Sequence, residues 1–72
     1  MKQITRKLFE EIRYKRKMMN ASTEDIIRNL FDEGFEEEQI VKIMKMSGFK
    51  VNDTKEILKY TFGLDPDVID EL

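Results

Sequence analysis

Seventy-two residues, 40% hydrophobic and 39% charged with one proline and three glycines, describe one helix-rich globular domain and exclude a chain disordered beyond its extreme ends. The absence of histidine and cysteine removes the usual general base, the strongest nucleophile and thiolate ligands, so no enzymatic activity, cofactor or metal site is expected. The net charge of −2 hides a division: residues 1–18 carry seven basic against two acidic side chains, a surplus of +5, and the rest six against thirteen, or −7.

The first expected element is a helix over residues 3–19, with Ile4, Leu8, Ile12 and Met19 at helical spacing. Asn20 ends it, because asparagine follows glycine in tolerance of the left-handed conformation that closes helices. Ser22 or Thr23 caps a second helix over 23–33, whose apolar stripe is Ile26, Ile27, Leu30 and Phe31. Gly34-Phe35 stops it, and the Glu36-Glu37-Glu38 run opens a third helix over 37–47, where negative charge suits the positive end of the helix dipole. Ile40, Ile43 and Met44 form its apolar side. After Gly48-Phe49, Asn52 or Asp53 caps a fourth helix over 52–62, with Val51, Ile57, Leu58 and Phe62 as its apolar set. Gly63-Leu64 stops that one, and Asp65-Pro66 opens a short fifth helix over 66–71 with an acceptor at the cap and proline at the first helical position.

No strand signal competes, so the fold class is all-α. The expected architecture is a compact orthogonal bundle of four short helices plus a C-terminal helical turn, because short helices joined by tight turns pack at steep angles around a shared core. Residues 1–72 form a single domain: a basic amphipathic helix at 1–19, a three-helix core at 22–62 and an acidic C-terminal turn at 63–72. The step of fourteen or fifteen residues between glycines is shorter than the repeats of about 20 to 50 residues that build solenoids. It reflects recurrent capping chemistry.

Binding is the function that remains. Asp32, Glu33, Glu36, Glu37 and Glu38 lack the alternating oxygen-ligand spacing of a calcium loop. On a wheel of helix 1, Lys2, Arg6, Arg13 and Lys17 gather opposite the apolar stripe, giving a cationic face for an acidic protein or for phosphates. A membrane is not expected as partner, since the helix lacks tryptophan and its stripe is needed for the core. Phe35 and Phe49, following their glycines, are candidate aromatic anchors.

The segment from Ile27 to Tyr60 resembles two families. Ile27, Leu30, Gly34, Phe35, Ile40, Ile43, Met44, Val51, Ile57 and Leu58 are similar to the pattern of a ubiquitin-associated domain. That resemblance implies three helices, with ubiquitin met by the first loop and the end of the third helix; Glu33 stands where the family's loop has methionine. The run Asp32-Glu33-Gly34-Phe35, then Gln39 to Ser47, also resembles a DNA-binding helix-turn-helix. It implies a reading helix whose contact residues are Lys50, Asn52, Lys55 and Lys59.

The acidic residues at 32–38 and 65–72 would repel phosphates on both sides of that reader. A +5 helix beside a −7 remainder suits a protein partner instead. The expected function is therefore a small non-catalytic regulator or adaptor acting by protein–protein interaction, such as an inhibitor or anti-repressor. The alternative is a helix-turn-helix transcriptional regulator binding DNA as a dimer. With no cysteine and no continuous apolar leader, the cytoplasm is the expected location, and a homodimer is compatible with so small a core.

Overall fold

The computed structural model describes residues 2–72, and every regular element among them is helical. Helix α1 runs Arg6–Lys17, α2 Thr23–Asp32, α3 Glu37–Met46 and α4 Val51–Glu56, the last continuing through a π-helical turn at Ile57–Thr61; α5 is Pro66–Asp70. They fill a body of 34 × 25 × 20 Å.

Capping chemistry explains most boundaries. α1 begins three residues later than residue 3 because Thr5 adopts an extended conformation and its hydroxyl accepts from the Leu8 amide at 3.4 Å. Lys2 to Ile4 therefore precede the helix and fold onto the body. Ser22 caps α2 reciprocally with Asp25. Glu36 stands at the cap of α3, its amide donating to the Gln39 side chain at 3.1 Å. Asp65 caps α5 by accepting from the Asp67 amide, with Pro66 at the first position.

Neither Asn52 nor Asp53 caps α4. Its cap is Lys50, without a side-chain contribution, and the helix starts at Val51. The buried Thr54 hydroxyl reaches back to the Lys50 carbonyl at 3.4 Å instead.

The helix ends follow the left-handed residues. Asn20, with φ 53°, is the one positive-φ non-glycine residue among those described. At Gly34 (φ 98°) the amide meets the Phe31 carbonyl at 3.0 Å, and that of Phe35 meets Leu30 at 3.1 Å. Gly48 and Phe49 repeat this on Lys45 and Met44, at 3.1 and 3.0 Å. Both are Schellman motifs with an aromatic residue just after the glycine. The end of α4 departs from the pair: the Phe62 amide reaches the Ile57 carbonyl at 3.1 Å, five residues back, which makes the last turn a π turn.

The core gathers Ile26, Ile27 and Leu30 of α2, Ile40, Ile43 and Met44 of α3, Leu58 of the π turn and Ile69 of α5, each at most 2% exposed. Leu8 and Ile12 dock α1 onto it. Met19, expected in the α1 stripe, lies beyond the helix end and is 63% exposed. Phe31 and Phe62 meet at a centroid distance of 5.3 Å, within the range of favourable tilted aromatic pairs. No side-chain polar atom buried among the described residues lacks a hydrogen-bond partner.

Candidate functional site

The docking of α1 decides which of its charges are free. Lys2 donates to the Glu33 carbonyl at 2.9 Å and lies 5.5 Å from the centre of the Phe35 ring. Arg16 donates to the Ser47 carbonyl at 3.2 Å and lies 4.2 Å from the centre of the Phe49 ring. The two contacts have one pattern. Each cation is 31 residues before the carbonyl it binds, each carbonyl belongs to the C-cap residue of a helix, and each ring follows the glycine after that cap. A cation there faces the negative end of the helix dipole and the electron-rich face of a ring.

The predicted cationic face divides accordingly. Lys2 stays exposed but is tethered to the C-cap of α2. Arg6, Arg13 and Lys17 are exposed along α1, and Arg13 and Lys17 stand with Arg16 around a cleft between α1 and the end of α3. Phe9, Ile12 and Met46 supply its apolar walls, and no carboxylate lines it. Met46 is 61% exposed and offers most of its side chain to an incoming group. The arrangement can pair carboxylates while covering an apolar side chain between them.

Of the aromatic anchors, Phe35 is corrected. At 4% exposure it belongs to the core, because the Schellman turn folds the residue after the glycine back onto the helix it closes. Phe49 is half-buried under Arg16.

The candidate DNA-contacting residues do not form one basic face. Lys50 and Asn52 are exposed, Lys55 is half-buried, and Lys59 is bound to Asp70 of α5 at 2.9 Å. The hydrogen bond to Asp70 holds the Lys59 ammonium above its ordinary pKa. The outer side of α4 and its π turn presents Asp53, Glu56 and the 78%-exposed Tyr60.

Part of the cleft is carried by spacing along α1, and two contributors, Gln39 and Met46, escape a reading by charge and hydrophobicity alone. Phe9, Ile12, Arg13 and Arg16 lie at i, i+3, i+4 and i+7, a spacing that marks one strip of α1 and carries the cleft in the sequence. Gln39, buried on α3, donates to the Lys2 carbonyl at 2.6 Å while accepting from Glu36, so it ties the leader of α1 to the start of α3. Met46 has no such marker, since its side of α3 is defined only once α1 has docked.

Among the described residues no group of three or more His, Cys, Asp or Glu side chains is placed to hold a metal ion, and no helix is long and apolar enough to cross a membrane. No protein family, curated protein or solved structure matches the chain.

Proposed function

We propose that this chain is a non-catalytic regulator or adaptor that binds another protein through the cleft beside α1, the partner placing an apolar side chain between carboxylates. The observation that carries the reading is the lining of that cleft: Phe9, Ile12 and Met46 beneath Arg13, Arg16 and Lys17, with no acid among them. Arg13 and Lys17 make no ion pair among the described residues, so their charge is available to steer an acidic partner. DNA is the less favoured partner, because Lys59 is occupied by Asp70 and Asp53 and Glu56 flank the outer side of α4.

The test is quantitative capture from source-cell lysate with the wild-type chain and an Arg13→Glu/Lys17→Glu variant of matched helicity and melting temperature. A protein enriched by the first and lost from the second is expected. Equal retention of every captured protein by both chains, or salt-sensitive binding of random duplex DNA by the wild type, would overturn the reading.

A further inference from the structure

A second groove, on a neighbouring face of α3, has a different composition. Its apolar floor is Val41 and Val51 with Val68 and Leu72, the last two 53% and 36% exposed. Its rim holds two acids, Glu38 and Glu71, and two bases, Lys42 and Lys45. None of these four forms an ion pair among the described residues.

The balance of charge favours a second copy of this chain as the occupant. A polyanion or a polycation would meet as much repulsion as attraction on this rim, in contrast to the cationic cleft beside α1. A rim with equal numbers of both signs can be complementary to itself after a half-turn, the condition for a two-fold interface in which the same patch serves both subunits. The order of residues along α3 meets that condition. Glu38, Val41, Lys42 and Lys45 follow at i, i+3, i+4 and i+7 and form one stripe. Two copies of α3 crossing antiparallel, with the axis between Val41 and Lys42, set Glu38 of each against Lys45 of the other. The small exposed edge of Val41, 8% of its surface, then lies under the aliphatic stem of the other copy's Lys42, and the more exposed Val68 and Leu72 are covered beside the axis. A parallel arrangement would oppose like charges.

We infer that the chain forms a two-fold homodimer through the α3–α5 groove, with antiparallel α3 helices and reciprocal Glu38–Lys45 pairs. The inference rests on residues none of which lines the α1 cleft.

Sedimentation equilibrium of the full chain from micromolar to millimolar concentration tests it, with circular dichroism confirming that each variant is folded. The wild type is expected to pass from monomer to dimer, and Arg13→Glu/Lys17→Glu to behave identically. Glu38→Lys and Lys45→Glu each convert two attractive pairs into two repulsive ones, and each alone is expected to weaken association at least about 10-fold. Mixed in equal amounts, the two variants regain opposite charges at both pairs and are expected to associate more tightly than either alone. A chain carrying both substitutions recovers its own dimer. A wild type that stays monomeric at millimolar concentration overturns the inference, as does a mixture that associates no better than its components.

Discussion

Arg16 and Arg13 lie one turn apart on α1, both exposed arginines, yet the structure assigns them different energetic roles. Removing Arg16 with Arg16→Ala deletes a guanidinium 4.2 Å from the Phe49 ring centre and a hydrogen bond of 3.2 Å to the C-cap carbonyl of α3. A cation over a ring at an exposed site contributes about 0.5–1 kcal/mol, and a cation at a helix C-terminus about 0.3–1 kcal/mol. Together they set an expected loss of about 1–2 kcal/mol. In a domain of this size each kcal/mol moves the melting temperature by roughly 4–8 °C, so the expected fall is about 4–16 °C. Arg13→Ala removes a similar side chain with no partner in the fold and is expected to stay within about 0.5 kcal/mol of wild type. Arg16→Lys keeps the charge without the planar stacking surface and falls between the two. Differential scanning calorimetry gives the shifts, and urea titration with an unchanged slope confirms that native-state stability has changed. A double-mutant cycle with Phe49→Leu isolates the ring contact. If Arg16→Ala and Arg13→Ala melt together, or if the cycle shows no coupling, the clamp does not hold α1 and the reasoning fails.

Other positions give further tests. Gln39→Ala strands the Glu36 amide and releases the Lys2 carbonyl, so it should cost about 1–3 kcal/mol, and amide exchange should rise at the start of α3 and at residues 2–5. Gly34→Ala meets open space but keeps φ near 98°, so backbone strain alone should destabilise by about 1–2 kcal/mol; Gly34→Asn should cost less, and equal urea midpoints for the two would contradict that account. Lys59 is held above its ordinary pKa chiefly by its hydrogen bond to Asp70, so the native state binds that proton more tightly than the unfolded chain does. The resulting stabilisation is present below the unfolded lysine value of about 10.4 and fades as pH rises through the elevated one. The stability gap between wild type and Lys59→Met should therefore be flat through neutral pH and narrow in the alkaline range, and a widening gap would count against it.

The sequence carries the punctuation of this fold in plain form. A residue that enters the left-handed region is a local property, and Asn20, Gly34, Gly48 and Gly63 announce it whatever surrounds them. What depends on the assembled molecule is less visible. The π turn at Ile57–Thr61 has no compositional mark, because it arises where the end of α4 must bring Leu58 into the core and Phe62 onto Phe31 together. Lys2 belongs to the basic side of a wheel only if the helix begins before it; once Thr5 caps α1, that wheel does not apply to Lys2, which bends back to α2. The cleft was half legible. Its Arg13 and Lys17 follow from charge, whereas Phe9 and Met46 become walls only when α1 lies against α3.

The matched contacts of Lys2 and Arg16 have a consequence for how such a chain can change over generations. They grip α1 near its two ends, and Leu8 and Ile12 anchor its middle from beneath, so the outer positions Arg6, Glu10, Arg13, Tyr14 and Lys17 carry little of the burden of folding. Those positions are free to drift in charge and size while the helix keeps its seat. Under the proposed reading, a lineage could exchange one partner for another by rewriting the outside of α1 and leave the rest of the molecule untouched.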